Sequence, residues 1–194
     1  MVEVEIGVIQ QPKAGNKVNG DSYRIIKTGS HMVVTVADGL GSGTMAQHAS
    51  MLAVDIVERN LQQLSVAILP VLNDSLRDTR GAAVAIADID LETLQLNYFS
   101  VGNIQGLIWG SKKTLLISTP GIIGRNYSQP VYQTSHQLKS TDAFILYTDG
   151  LTFNDCTDCH NGERRFTAQN LADYLVVQFK EKNDDLVLLT FTFC

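Results

Sequence analysis

Cysteine is scarce in this chain, with three residues among 194. An odd and small number excludes the disulfide framework that stabilises many small secreted domains. Proline is also scarce, with four residues, and no Pro- or Ser-rich stretch divides the chain as a linker would. We find no internal repeat or low-complexity segment. The length suits one domain, so we expect residues 1–194 to form a single domain.

Long apolar runs and basic clusters are missing as well. No stretch approaches the roughly 18 apolar residues of a membrane-spanning helix. The first residues lack the basic start and apolar core of a secretory signal. The net charge of −5 and the absence of a basic run argue against a nucleic-acid or anionic-membrane partner. We therefore expect a cytoplasmic globular protein.

The spacing of apolar residues predicts a strand-rich chain. Alternation at every second position indicates a first strand from Val2, and the nearly continuous apolar segment 32–37 is typical of a strand buried on both faces. That segment would form a hairpin with 22–27 across a turn at Gly29. Further strands are predicted at 82–89, 94–101, 104–109, 114–118, 131–138, 143–148 and 186–193, with antiparallel neighbours because their connections are short.

Helical spacing is confined to three places. The first helix would begin near residue 44, with Thr44 or Ser42 as its cap. The second would span 65–78, where Pro70 indicates a late start or a kink, and the third would span 167–180. Strict βαβ alternation is absent, so we predict an α+β fold of two mainly antiparallel packed sheets with helices on their outer faces.

Acidic residues stand at the ends of four predicted strands: Asp21, Asp38, Asp149 and the pair Asp184-Asp185. Such acids are often only solvated caps, and Asp-Gly is a common turn. Gathered together, however, carboxylates repel one another, and hard cations can neutralise them. Oxygen ligands suit Mg²⁺ or Mn²⁺ and not zinc. Four positions in similar contexts favour a shared metal site.

Six short motifs follow one another in this order: Asn19-Gly-Asp-Ser22, Ala37-Asp-Gly-Leu-Gly-Ser-Gly43, Arg80-Gly-Ala-Ala83, Ser100-Val-Gly-Asn103, Tyr147-Thr-Asp-Gly-Leu151 and Asp184-Asp-Leu-Val187. Each motif is weak alone. The ordered series resembles the metal-dependent PPM-type (type 2C) serine/threonine phosphatases, in particular their compact bacterial branch of stressosome phosphatases. The resemblance covers almost the whole chain.

This resemblance implies an α-β-β-α sandwich with two Mn²⁺ or Mg²⁺ ions at one edge. Carried over residue by residue, Asp38 would bridge both ions, and the carbonyl of Gly39 would bind one of them. Asp149 and Asp184 would bind the other, and Asp21 would act through water. Asp38, Asp149 and Asp184 are therefore the predicted catalytic residues. Water would attack phosphorus directly and in line, without a phosphoenzyme.

Three positions leave alternatives open. Larger family members carry a general-acid histidine where this chain has Leu40, so a phosphoprotein-binding module without turnover is the competing hypothesis. The phosphate-binding cation would be Arg24 or Lys17. Asn103 is either a turn residue in a left-handed conformation or, like Asp185, a residue that braces the metal-binding aspartates.

The resemblance also implies the partners: proteins phosphorylated on serine or threonine, and specifically stressosome scaffold proteins. Two other motifs in the sequence suggest different functions. The segment 39–44 imitates a dinucleotide-binding loop, but its third glycine is one place early and no βαβ unit surrounds it. Cys156, Cys159 and His160 match a haem-attachment pattern, although two ordinary thiols in a polar loop are the simpler interpretation.

Overall fold

The computed structural model describes residues 2–125, 130–152, 166–180 and 183–194. In chain order these residues form β1 (Val4–Gln11), β2 (Asp21–Thr28), β3 (His31–Gly39), α1 (Thr44–Arg59), the 3₁₀ turns Leu61–Gln63 and Val66–Ile68, α2 (Leu69–Leu76), β4 (Ala82–Asp90), β5 (Gln95–Val101), β6 (Gln105–Trp109), β7 (Lys113–Leu116), β8 (Thr134–Gln137), β9 (Ala143–Tyr147), α3 (Ala168–Phe179) and β10 (Leu186–Phe193). The predicted elements are all present, although β8 is shorter than the predicted 131–138.

The strands form two five-stranded sheets. Sheet A has the order β1-β10-β9-β6-β7, and sheet B has the order β2-β3-β4-β5-β8. The pairings between these named strands are antiparallel, as predicted. One expectation was wrong: β5 and β6 are consecutive but lie in different sheets. At residues 102–104 the short connection carries the chain from one sheet to the other instead of making a hairpin, and Gly102 adopts a positive φ of 108° there.

Apolar alternation explains the layers. On β3, Met32, Val34 and Val36 join the cluster between the two sheets, whereas Val33 and Ala37 face the helices. Helices α1 and α2 cover the outer face of sheet B, and α3 covers that of sheet A through a cluster that includes Leu175. Each fully buried aliphatic side chain contributes about 1.5–3 kcal/mol. The predicted α-β-β-α sandwich is confirmed.

The helix starts differ in part from the prediction. Helix α1 has Gly43 as its N-cap, at φ 77°, and no side chain caps it, so the expected caps Thr44 and Ser42 were wrong. A glycine can adopt this backbone conformation at little cost. Helix α2 starts late, with Pro70 in its first turn, as predicted. Thr167 caps α3 by accepting a hydrogen bond from the Asn170 amide at 3.3 Å.

Among the described residues, no helix is long and apolar enough to cross a membrane. The predicted polar loop 152–165 lies outside the described residues from residue 153 onward.

Candidate active site

The acidic residues come from both sheets and meet at one edge of the sandwich. Asp21 opens β2 directly opposite Asp38 near the end of β3. Asp149 follows β9, and Asp184 and Asp185 precede β10, which pairs with β9. Because antiparallel neighbours place the end of one strand beside the start of the next, each sheet delivers its acids to the same side.

These acids line a single cleft of about 290 Å³. Its walls contain the five acids predicted from the sequence: Asp21, Asp38, Asp149, Asp184 and Asp185. The structure therefore brings together side chains that are far apart in sequence. Lys13, Leu40 and Asn103 also line the cleft.

Two glycines allow the surrounding segments to approach this closely. A Cβ atom at Gly39 would lie 2.0 Å from the backbone oxygen of Ala46, so only glycine lets the end of β3 pass beneath α1. A Cβ atom at Gly20 would lie 2.7 Å from Oδ2 of Asp185. The glycines beside the aspartates thus make room for neighbouring chain segments at the site.

Burial and mutual repulsion make two of the carboxylates hard to ionise. Burial, followed by the charge of Asp38, raises the pKa of Asp21 to about 9. Burial also raises the pKa of Asp38 to about 6, and the charge of Asp149 adds to that rise, while a hydrogen bond from Asn103 opposes it. Without bound cations, Asp21 therefore keeps its proton at neutral pH.

Asn103 supports Asp38 directly. Its Nδ2 donates a hydrogen bond to Oδ2 of Asp38 at 2.9 Å. Among the described residues, Leu94 is the one non-glycine residue with a positive φ, so Asn103 is not a left-handed turn residue. Gly102 has that conformation instead, and Asn103 is free to orient the aspartate.

Asp185 is buried and half-satisfied. Its Oδ1 accepts a hydrogen bond from the Lys13 amide at 2.8 Å. Its Oδ2, like Oδ2 of Asp21, is buried and has no hydrogen-bond partner among the described residues. Two orphaned carboxylate oxygens are costly in a protein interior, and a bound cation would satisfy them. The donor set is made of oxygen atoms, which fits Mg²⁺ or Mn²⁺.

The ligand sphere is not closed by these side chains as they stand. Within the described part of the chain, no three carboxylate, imidazole or thiol groups lie close enough together to enclose an ion. Asp184 is 38% exposed and its Oδ1 lies 3.7 Å from Nζ of Lys13. Asp184 is the partly exposed member of the cluster, whereas Asp21 and Asp185 are buried.

Neither predicted phosphate-binding cation lies in the cleft. Arg24 points to α1, where it contacts Oδ1 of Asp55 at 2.6 Å and Oε2 of Glu58 at 3.3 Å. Lys17 is exposed and does not line the cleft. Lys13 lines the cleft, although it was not among the predicted cations. A lone lysine in a polar loop gives no local signal, because its position depends on the contact between that loop and residues 183–185.

The competing motifs gain no support. Asp38, which precedes the glycine-rich segment, lines the acidic cleft, whereas a dinucleotide-binding loop presents backbone amides to the pyrophosphate. Cys156, Cys159 and His160 lie outside the described residues. His31 pairs with Asp88 at 2.9 Å on the far end of the β2–β3 hairpin, and Trp109 is buried as a core residue.

Residues 28–193 match the family described as Stage II sporulation protein E (SpoIIE). The chain is 27% identical to phosphoserine phosphatase RsbX of Bacillus subtilis over 184 residues, which are 94% of this chain and 91% of RsbX. It matches the crystal structure of RsbX in complex with magnesium with a TM-score of 0.83, 25% identity and full coverage of both chains.

Two further structures agree. A chain from work on the bacterial stressosome as a modular system matches with a TM-score of 0.87 and 25% identity, over 97% of this chain and 98% of that one. The PP2C phosphatase domain of SpoIIE from Bacillus subtilis matches with a TM-score of 0.79 and 22% identity, over 99% of this chain and 63% of that one. The chain belongs to the SpoIIE family and has the fold of its PP2C-type phosphatase domain.

Proposed function

We propose that this protein is a phosphoprotein phosphatase that hydrolyses phosphoserine or phosphothreonine with the help of two divalent ions, Mn²⁺ or Mg²⁺. The observation that carries the proposal is the convergence of five acids from two sheets on one cleft, where buried oxygens of Asp21 and Asp185 have no hydrogen-bond partner within the described chain. The likeness to a phosphoserine phosphatase that was crystallised with magnesium supports it.

In this proposal Asp38 would hold both ions, which is supported by its position opposite Asp21 on the neighbouring strand and by the effect of the charge of Asp149 on its pKa. The carbonyl of Gly39 would hold one ion, Asp149 and Asp184 the other, and Asp21 would act through water. Bound at this place, the ions would activate water and offset the negative charge of the phosphoryl group. Asp38, Asp149 and Asp184 are thus the residues on which turnover depends.

The remaining contributions come from side chains around the acids. Asn103 fixes the orientation of Asp38 through its 2.9 Å hydrogen bond. Lys13 lines the cleft and would attract the phosphate dianion. Leu40, 49% exposed at the cleft, has no proton to give, so the leaving serine oxygen takes its proton from water. Without a general acid in that position, turnover should be slower than in family members that carry the histidine.

The proposed substrates are cytoplasmic phosphoproteins, specifically stressosome scaffold proteins of the RsbS and RsbR kind. The support is the 27% sequence identity to RsbX and the structural likeness to a chain from work on the bacterial stressosome. A cleft open at the edge of two sheets also leaves room for a protein surface around the phosphate.

The first experiment measures hydrolysis of p-nitrophenyl phosphate with Mn²⁺, with Mg²⁺ and with excess chelator. We expect turnover with either metal and none with chelator, and none for Asp38→Ala under any condition. Full activity in chelator would contradict a metal-dependent mechanism. Metal binding without any turnover would favour the competing hypothesis of a phosphoprotein-binding module.

The second experiment addresses the substrate. Phosphorylated scaffold proteins of the RsbS and RsbR kind are incubated with the protein beside a panel of small phosphate esters. We expect release of phosphate from the scaffold proteins at lower concentrations than from any ester. Efficient hydrolysis of one metabolite with the scaffold proteins untouched would refute the substrate assignment and leave the metal chemistry standing.

A further inference from the structure

A second depression adjoins the acidic cleft. It has a volume of about 680 Å³ and is lined by Leu40, Gly41, Arg80, Ile122 and Arg125. We call it the Arg80 groove. Leu40, Gly41 and Ile122 also line the cleft, so the two share one rim. The groove is therefore next to the cleft, within reach of a peptide whose phosphoserine lies in the cleft.

The groove differs from the cleft in charge. Among the described residues, five acids line the cleft, whereas two arginines and no acid line the groove. The side chain of Arg80 is exposed, and it forms no ion pair or hydrogen bond with the rest of the described chain. Its Nη1 lies 2.8 Å from the point where a Cβ on Gly41 would stand, at the rim itself. Within the part of the chain that the structure describes, the guanidinium therefore has an unused capacity to donate hydrogen bonds.

The backbone beneath Arg80 is held in place. Arg125 donates one hydrogen bond from Nη2 to the Thr79 carbonyl at 2.8 Å and another from Nε to the Arg80 carbonyl at 3.4 Å. The Leu40 amide donates to the Gly81 carbonyl at 3.0 Å, which ties this turn to the segment after Asp38. Arg125 therefore positions the turn, and Arg80 is the side chain presented to the ligand.

The lining decides what could bind there. A guanidinium pairs with a carboxylate through two parallel hydrogen bonds, and the geometry of the pair is specific. Leu40 and Ile122 offer apolar surface on either side of the shared rim. In a protein with a net charge of −5, two neighbouring arginines form a local site for an acidic partner. The phosphate itself belongs to the cleft, where the carboxylates would hold the ions.

We propose that the Arg80 groove binds the polypeptide segment beside the phosphorylated serine of the substrate, with an acidic side chain on Arg80 and an apolar neighbour against Leu40 and Ile122. This inference rests on the proposed function, because it assumes that the phosphoserine occupies the cleft. It adds a sequence requirement: the preferred substrate carries an aspartate or glutamate within a few residues of its phosphoserine.

The test uses two phosphoserine peptides that differ only at the flanking positions, with glutamate in one and glutamine in the other. Their kcat/KM with Mn²⁺ and their binding by fluorescence anisotropy are measured for wild type, Arg80→Ala and Arg77→Ala. Arg77 is the matched control, because it is an exposed arginine paired with Asp74 on α2, outside the groove. p-Nitrophenyl phosphate, which has no flanking residues, reports on the cleft alone.

We expect wild type and Arg77→Ala to prefer the glutamate peptide about tenfold, the effect of one well-placed charged hydrogen-bonded pair. Arg80→Ala should lose this preference in both kcat/KM and binding. Equal binding of the two peptides by wild type would overturn the proposal. So would a preference that survives in Arg80→Ala, or an equal loss on both peptides and on p-nitrophenyl phosphate, which would place Arg80 on the phosphate.

The binding measurement separates this proposal from the proposed function. If wild type turned over no substrate but still bound the glutamate peptide more tightly through Arg80, the groove would stand and the phosphatase activity would fall. If turnover required metal but showed no preference between the peptides, the activity would stand and the groove would fall.

Discussion

At the scale of single residues, the fold buries carboxyl groups in positions where their ionisation is unfavourable. Asp21 is 2% exposed and lies opposite Asp38 on the neighbouring strand, and no described residue donates a hydrogen bond to its Oδ2. A residue of this kind persists in a protein when function requires it, since an apolar residue there would be more stable. The consequence can be measured as a pH dependence of stability.

The metal-free protein should become less stable as pH rises. The pKa of Asp21 is raised from 3.8 in the unfolded chain to about 9, and that of Asp38 from 3.8 to about 6. Between these values the folded state holds protons that the unfolded state has released, so the free energy of unfolding falls with pH. Both residues contribute from about pH 4 to 6, and Asp21 alone continues to about pH 9. Denaturant unfolding in chelator at pH 5, 7 and 9 measures the trend.

Asp21→Asn supplies the comparison for that series. It removes the titrating group, so its stability should fall much less than that of wild type between pH 6 and 9. Parallel curves for the two proteins would show that Asp21 ionises in the folded state as readily as in the unfolded one.

Asn103 should tune the site without being a ligand. Asn103→Ala removes the donor to Asp38 and leaves that carboxylate free to rotate, so we expect Mn²⁺ affinity to fall roughly 10- to 100-fold. Isothermal titration with Mn²⁺ checks this. The control is Asn97→Ala. Asn97 lies on β5, where its Oδ1 accepts a hydrogen bond from Ser135 on β8, and this variant should bind Mn²⁺ as wild type does. Unchanged affinity in Asn103→Ala would limit Asn103 to a structural contact.

At this scale the acids of the site could be predicted from the sequence, whereas the cations near it could not. The five acids were found because each stands beside a glycine or at the end of an apolar strand, a pattern visible locally. The cations were not found. Arg24 lies close to Asp21 in sequence, but on a strand that turns its side chain toward α1, whereas Lys13 and Arg80 reach the site region through loops that carry no periodic signal.

At the scale of elements, the backbones of β3 and α1 pack closely against each other beside the site, at Gly39 and Ala46. Gly39→Ala would push a methyl group into the backbone carbonyl of Ala46, and a backbone atom of a helix cannot rotate away. We expect a loss of about 1–3 kcal/mol in unfolding free energy together with loss of metal binding. Circular dichroism melting and Mn²⁺ titration measure both.

Gly29→Ala is the control for Gly39→Ala. Gly29, in the hairpin turn, has a φ of 59° but open space around it. Gly29→Ala should therefore cost only about 1–2 kcal/mol of backbone strain and leave Mn²⁺ binding intact. If Gly39→Ala bound Mn²⁺ as tightly as Gly29→Ala, the close packing of β3 on α1 would not be needed for the site.

Elements themselves were largely predictable, because period-2 and period-3.6 spacing is local. Pro70 gave the late start of α2 from its missing amide hydrogen. The partners of the strands were less predictable. Nothing local distinguishes the β6–β7 hairpin from the crossing between β5 and β6, since both connections are short and the choice depends on which sheet can bury the next apolar face.

At the scale of the whole molecule, metal binding should couple to stability. At 100 times its dissociation constant, an ion that binds only the folded state adds about 2.7 kcal/mol. For a chain of this size that corresponds to a rise of roughly 5–10 °C in Tm. Differential scanning fluorimetry with Mn²⁺ and with chelator measures it, and no shift at saturating Mn²⁺ would argue against a site that assembles on folding.

Asp38→Ala is the control for that measurement. The variant should show no Mn²⁺-dependent shift. In chelator it should melt no lower than wild type, because it removes one of several crowded carboxylates whose pKa the fold raises. A lower melting temperature in chelator would show that Asp38 stabilises the fold on its own account.

The pairing of β1 with β10 has a consequence for the order in which the molecule is built. β10 is preceded by Asp184 and Asp185, and it pairs with β1 from nearly the other end of the chain. Contacts so distant in sequence form late in folding, because the entropy of closing the loop must be overcome first. The local β2–β3 hairpin can therefore carry Asp21 and Asp38 into place while the other acids are still absent. Asp184 and Asp185 would then reach the cleft when β10 completes sheet A, and we expect chains that lack the β1–β10 pairing to bind Mn²⁺ more weakly than the folded protein does.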